Sequence, residues 1–240
     1  MHTLILDYNH FESNHMSSFK EFIRQSRIHT LSINYCKLGD NGGVAIGEAL
    51  YHANGVREVR AKNNDFRDKT AKSIAEALEH DSVIERLDLS NNLINDAGGE
   101  LLGLAMGLNK NLSFFNLRKN NLRATSGKQF AASMKENKTL KCLKLEKNSI
   151  NCNFIEEIEK YIERNVHSLL ENNISELKQN REGFLATRID AWKEVRDKTE
   201  YYSSKTVRLE TTVRNLTQKK ARLDHELDDE VQELNEALSY

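Results

Sequence analysis

Hydrophobic positions recur along the first two thirds of the chain with a fixed step. The segment Ile28, Leu31, Ile33, Cys36, Leu38 is followed by Val56, Val59, Ala61, Asn64, Phe66 and then by Ile84, Leu87, Leu89, Asn92, Ile94. Two more copies follow, Leu112, Phe115, Leu117, Asn120, Leu122 and Leu140, Leu143, Leu145, Asn148, Ile150, so that the starts at 28, 56, 84, 112 and 140 lie 28 residues apart. A degenerate first copy carries Leu4, Leu6, Asn9 and Phe11. Within each copy the apolar residues alternate, which predicts a short strand with one buried face. The Asn or Cys that follows turns inward, where its side chain can bond backbone groups that the turn leaves unpaired.

Between the strands the period becomes helical. Ile46, Ile74, Leu102, Phe130 and Ile158 repeat every 28 residues, and so do Ala49, Ala77, Ala105 and Ser133. With Leu50, Leu78, Met106 and Met134 they form one apolar stripe per helix. Asp40, Asp68 and Asp96 stand at the starts of these helices and are expected to be their N-caps, with Thr125 or Ser126 substituting where Ala124 breaks the series.

The stretch Leu38-Gly39-Asp40-Asn41-Gly42-Gly43-Val44-Ala45-Ile46-Gly47-Glu48-Ala49-Leu50, echoed by Ile94-Asn95-Asp96-Ala97-Gly98-Gly99-Glu100-Leu101-Leu102, resembles the helical half of ribonuclease-inhibitor-type leucine-rich repeats. The resemblance covers about residues 1–165. It implies an α/β fold: a short solenoid of 28-residue repeats, with parallel strands lining the concave side and helices outside.

A seventh copy is due at residue 168, but Ser168-Leu169-Leu170-Glu171-Asn172-Asn173 does not fit the template. The helix from about Phe154 is expected to close the solenoid, giving a domain over 1–170. Over 171–240 the pattern is a long α-helical coiled coil. Val195, Tyr202, Leu209, Leu216 and Leu223 are seven residues apart, and Trp192, Val213, Leu227 and Leu234 belong to a second seven-residue series. Steps of four at Leu223, Leu227 and Val231 mark a stutter. A helix from Ile174 to Leu238 would be roughly 95 Å long at ~1.5 Å per residue. Thr199, Thr206 and Lys220 interrupt the seam, which reads as a surface made for a different coiled-coil chain, with a mediocre homodimer as the alternative. Basic residues from Lys205 to Arg222 precede acidic ones from Asp224 to Glu236, which favours an antiparallel or staggered partner.

Composition adds constraints. Charged residues make up 30% of the chain and hydrophobic ones 38%, with a net charge of −1, which gives no whole-protein attraction to nucleic acid. Proline is absent, consistent with long uninterrupted helix. Cys36, Cys142 and Cys152 lack the spacing of a disulfide framework, and Met1-His2-Thr3-Leu4 lacks the features of a signal peptide. A cytoplasmic setting with free thiols is expected. No apolar run reaches the ~20 residues of a membrane span.

No metal-ligand spacing, phosphate loop or nucleophile motif stands out, so no cofactor, metal, catalytic residue or small-molecule substrate is expected. The glycines around Gly39 to Gly47 belong to the repeat, and the sequon at Asn137 is expected to be unused. The candidate site is the concave face, where Tyr35, Arg60, Lys62, Arg86, Asp88, Phe114, Arg118, Lys119, Lys144 and Lys147 are expected to project. Its basic character with aromatic handles suits an acidic protein surface. The expected function is a non-enzymatic interaction scaffold, with the solenoid holding one partner and the helix pairing with another chain. In architecture the chain resembles leucine-rich-repeat scaffolds of centrosomes and ciliary axonemes. A GTPase-activating module resembling Ran GTPase-activating protein is the alternative; an enzyme inhibitor is disfavoured by the short arc and few cysteines.

Overall fold

The computed structural model describes residues 2–11, 15–80 and 83–238, with side chains as far as 222. Strands and helices alternate as the 28-residue period requires. The strands are β1 (Thr3–Ile5), β2 (Thr30–Ser32), β3 (Glu58–Arg60), β4 (Arg86–Asp88), β5 (Phe114–Asn116) and β6 (Cys142–Lys144). The helices are α1 (Met16–Gln25), α2 (Gly39–His52), α3 (Asp68–Glu79), α4 (Asp96–Leu108), α5 (Ala124–Glu136) and α6 (Cys152–Leu238). The strands form one parallel sheet in sequence order, in a register that stacks equivalent positions: Leu31, Val59, Leu87, Phe115 and Leu143 are successive partners. The chain divides into two compact units, Met1–Asn172 and Asn173–Tyr240, and α6 contributes to both.

The core of the first unit lies between sheet and helices. Leu87, Leu89 and Leu117 are fully buried, as are the helix residues Ile74, Leu102 and Phe130. Adjacent helices approach closely where the sequence places glycine. A Cβ on Gly47 would stand 2.8 Å from the carbonyl carbon of Ser73 on the next helix, so a side chain there would push the two apart.

Polar groups in the turns are satisfied from one repeat to the next. The Asn92 carboxamide accepts from Asn64 N–H (2.8 Å) and Phe66 N–H (3.2 Å) of the preceding repeat, and donates to the carbonyls of Ala61 (3.1 Å) and Leu89 (2.9 Å). Asn64, Asn120 and Asn148 make equivalent bonds. Cys36 fills this slot with a thiol that donates to the carbonyl of Leu6 or Asn34; burial pushes its pKa up. Its role is structural, and the three cysteines are unpaired.

A second asparagine column was not anticipated. Asn109 and Asn137 end α4 and α5, and each donates to a carbonyl of the preceding repeat while its oxygen accepts the next two available N–H groups of its own loop. Asn137 is buried and its amide nitrogen is engaged, so the sequon around it is part of the fold's hydrogen bonding.

The expected N-caps need correction. Asp40, Asp68 and Asp96 lie inside the first turns of α2, α3 and α4 and do not cap them. Each caps the following helix: Asp40 accepts from Arg67 N–H (2.8 Å) and Thr70 N–H (3.3 Å), Asp68 from Asn95 and Gly98, and Asp96 from Arg123 and Ser126. The helices lie side by side, so a carboxylate on one reaches the free N–H groups and positive end of its neighbour. Ser126 receives the cap from Asp96 and does not supply one. Because Ala124 cannot continue the relay, α6 is capped locally, by Asn151 accepting from Asn153 N–H at 3.0 Å.

Partial burial raises the pKa of Asp96, but its hydrogen bonds from Ser126 and Arg123 outweigh this and hold it below the ordinary value. Its stabilising effect is therefore present above the ordinary carboxylate pKa and lost as pH falls through the lowered one. Asp96→Asn should destabilise the first unit by about 0.5–2 kcal/mol at neutral pH. The gap between wild type and variant in urea midpoint should narrow as pH drops below about 4. A gap independent of pH would assign the effect to shape and not to charge.

Candidate functional site

The parallel register sorts the concave face into rows. One row runs Glu58, Arg86, Phe114, Cys142, and the next runs Arg60, Asp88, Asn116, Lys144. Arg60, Arg86, Asp88, Phe114 and Lys144 thus stand on the strands themselves. Lys62, Arg118, Tyr35, Lys119 and Lys147 come from the turns just beyond the strands.

The strand rows are more neutralised than the residue types suggested. Arg60 Nε lies 2.9 Å from Glu58 Oε1, and Arg86 Nε lies 3.6 Å from the same oxygen. Asp88 accepts from Ser90 N–H and Asn116 Nδ2. Arg86 and Lys144 both approach the Phe114 ring, at 4.2 and 5.5 Å from its centroid, so this aromatic already serves two cations. Sequence reading passed over Glu58, Asn116 and Ser90; their phase in the repeat identifies them.

The turns form two further columns. At the N-terminal end, Tyr8 and Tyr35 stack at 4.7 Å with rings 5° apart, and Lys62 sits 5.2 Å from the Tyr35 ring. A hydrogen bond with Tyr35, aided by the charge of Asp88, holds the Lys62 ammonium pKa above its usual value despite desolvation. Asp7 is the mirror case. Burial raises its pKa, but bonds from Asn34 N–H and the Ser32 hydroxyl, with Arg60 nearby, leave it lowered. At the C-terminal end, Arg118, Lys119 and Lys147 are exposed and make no ion pair with any described residue.

The column Tyr8, Tyr35, Asn63, Asn91, Lys119, Lys147 is left-handed throughout, with φ between 55° and 61°. This turn aims the following ladder residue inward. Asn tolerates the conformation, whereas Tyr and Lys adopt it at a cost of about 1–2 kcal/mol.

The sequence signal that was missed is local charge. Over residues 112–150 there are nine basic side chains, Arg118, Lys119, Arg123, Lys128, Lys135, Lys138, Lys141, Lys144 and Lys147, against Glu136 and Glu146, a net +7 within a chain of −1. The fifth and sixth repeats therefore form a basic band. Two open clefts of about 190 and 180 Å³ indent the concave face. Both are smaller than the ~300–1,000 Å³ usual for small-molecule sites. Among the described residues no group of three His, Cys, Asp or Glu could hold a metal ion, and no helix is long and apolar enough to cross a membrane.

In the second unit, Trp192, Val195, Tyr202, Leu209, Val213 and Leu216 are each more than half exposed along the helix. Leu223, Leu227 and Leu234 fall outside the residues with described side chains, as do the stutter and the acidic run. Thr199 and Thr206 donate their hydroxyls to the carbonyls of Val195 and Tyr202, so these seam positions do not need a polar partner. The apolar stripe also starts earlier than expected, with Leu185 and Ile189 beside Trp192, ringed by Arg188, Lys193 and Arg196.

No protein-family model and no curated protein matches the chain. Its fold is similar to that of leiomodin-1 actin-binding site 2, with 20% identity and a TM-score of 0.57, covering 69% of this chain and 95% of that one. It is also similar to the tropomodulin C-terminal domain of Caenorhabditis elegans, with 14% identity and a TM-score of 0.59, covering 67% and 98%. At these identities the likeness is one of fold, and it agrees with a leucine-rich-repeat-like solenoid of parallel strands and helices.

Replacing Lys119 by Asn, the residue that Asn63 and Asn91 supply at the same left-handed turn, should raise the urea midpoint by the equivalent of up to about 1 kcal/mol. A drop in stability would show that Lys119 contributes folded-state contacts that outweigh its backbone strain.

Proposed function

We propose that the chain is a non-enzymatic scaffold of a cytoskeletal assembly, in which the solenoid holds an acidic protein surface and the C-terminal helix pairs with another coiled-coil chain. The observation that carries this reading is the set of exposed, unpaired cations, Arg118, Lys119 and Lys147, in the turns that follow β5 and β6, inside a stretch of net +7. Their backbones are held in place by the repeat, and Arg118 can engage a carboxylate through two parallel bonds. The shallowness of the clefts favours a protein over a small ligand. The similar fold of an actin-binding site of leiomodin-1 makes actin filaments the first surface to test. A ciliary axoneme or a centrosome is the narrower setting that the repeat-plus-coil architecture suggests.

The helix follows separately. Its exposed apolar stripe from Leu185 to Leu216 gains about 1.5–3 kcal/mol for each large side chain that a partner helix covers. Lys220 on the seam favours a partner that offers an acid opposite it.

Affinity capture with crosslinking mass spectrometry would map partners onto the two units, and co-sedimentation with actin filaments would test one of them directly. Arg118→Glu with Lys119→Glu should abolish or strongly weaken capture through the solenoid and flatten its salt dependence. Unchanged capture would move the binding surface off the concave face. Leu209→Asp with Leu216→Asp in the full chain should remove only those partners crosslinked to the helix. If sedimentation showed instead a tight homodimer that these changes dissociate, the helix would be a self-pairing element.

A further inference from the structure

Each inner repeat has its strand half covered by the next. In the fifth repeat, Phe115, Leu117 and Leu122 are fully buried. The N–H groups of Leu117 and Lys119 donate to the carbonyls of Lys144 and Glu146, at 2.8 and 3.0 Å. Those of Asn120 and Leu122 donate to the Asn148 carboxamide oxygen, at 3.0 and 3.1 Å. The sixth repeat has the same parts and no successor. Its equivalents of Phe115 and Leu122, Leu143 and Ile150, are only half-buried. No described residue accepts from the N–H of Leu145, Lys147, Asn148 or Ile150, the counterparts of the four donors just named. Beside them lies a cavity of about 200 Å³ whose apolar lining is Leu143, Leu145, Ile150, Ile155 and Ile158, with Glu159 and the polar residues of the turn after β6 completing it. The expected closure by α6 is thus confined to the helical side.

We propose that this end of the solenoid is a strand-acceptor site, which takes one extended segment of a partner protein laid parallel to β6 as a seventh strand. The occupant is specified by the molecule itself, because the same interface occurs between each pair of adjacent strands. It needs an apolar-x-apolar-x-x-Asn pattern: two apolar side chains to fill the cavity and a carboxamide to receive the N–H groups of Asn148 and Ile150. Main-chain bonds to the free edge supply affinity, and the alternate side chains supply selectivity. Lys144 is the kind of charge that guards an exposed edge. It becomes a partner when the incoming strand places an acid beside it. A second copy of this chain is a poorer occupant. Its β1 would bring Asp7, whose repeat position is equivalent to Asn34, Lys62 and Arg118, beside Glu146, and like charges placed side by side on a sheet repel.

The probe is a fluorescent peptide with the sequence of residues 84–94, Ile-Glu-Arg-Leu-Asp-Leu-Ser-Asn-Asn-Leu-Ile, whose Asp88 would fall beside Lys144. Titrated into the full chain, it should bind saturably and slow amide hydrogen exchange across residues 143–150 by about tenfold or more. The peptide with Asn92→Ala should bind about tenfold more weakly, and that with Leu87→Asp should not bind at concentrations up to about 1 mM. Ile155→Glu, on the α6 wall of the cavity, should weaken binding of the unmodified peptide about tenfold without altering the circular dichroism. The exchange footprint on the unmodified chain decides the matter even if that variant unfolds. Absence of binding to about 1 mM, or a footprint on the concave face, overturns the proposal. So does self-association of the chain that Ile155→Glu abolishes, which would make a second copy the occupant.

Discussion

The side-chain amides and carboxylates that pass from each repeat to the one before or after it hold this solenoid in register. A strand of three residues supports little pairing of its own, and a turn in left-handed conformation leaves several N–H groups pointing inward. Asn64, Asn92, Asn120 and Asn148 satisfy those groups across the repeat boundary, while Asp40, Asp68 and Asp96 do the same for the helix starts. An unpaired buried donor costs about 1–3 kcal/mol, so each repeat depends on its neighbour for more than apolar cover. Stability in such an array is a chain of nearest-neighbour terms. The last member in the series must therefore carry unmet demands, and the free N–H groups after β6 are where they appear.

Much of this was legible in the sequence because burial and periodicity are coupled. Leu87, Leu89 and Leu117 were identified as inward-facing from their phase alone, and the ladder residues from the turn they follow. The direction of the caps was not legible. An Asp at the head of a helix reads as that helix's own cap, and only the side-by-side placement of helices shows that Asp40 reaches α3. The second asparagine column escaped for a related reason. Asn109, Asn137 and Asn165 keep the 28-residue step but lie at helix ends, where the template has no required position.

The concave face was legible as a set of residues but not as a charge distribution. Reading the face as basic from Arg60 and Arg86 passed over Glu58, which shares a strand with Arg60 and a row with Arg86 and holds both. The unpaired charge lies further along, at Arg118, Lys119 and Lys147, and two of these occupy left-handed turns where asparagine would be the easier choice. Lysine at such a position is hard to explain by folding alone. The exposed stripe on the C-terminal helix makes the same point in apolar form, since Trp192, Tyr202 and Leu216 give up burial that the fold itself does not provide.

The way the solenoid ends follows from the residues that stand where a seventh repeat would begin: Ser168, Glu171 and Asn173 occupy apolar positions of the template. At Asn109 and Asn137 the carboxamide oxygen gathers the next N–H groups and turns the chain toward a strand whose first residue, Leu112 or Leu140, is fully buried. Asn165 keeps the inward half of this arrangement, donating to the carbonyls of Asn137 and Leu140. Its neighbour Arg164 adds bonds to the carbonyls of Met134, Lys135 and Asn137, closing the end of α5. The residue due in the buried slot is Ser168, however, and a hydroxyl there would have to be desolvated without an apolar gain. Staying helical keeps the backbone bonds of residues 166–169 and leaves Ser168 in water. Polar residues at three core positions of the template, Ser168, Glu171 and Asn173, thus accompany the exchange of a seventh strand for a helix, and β6 keeps an edge to which no described strand is paired.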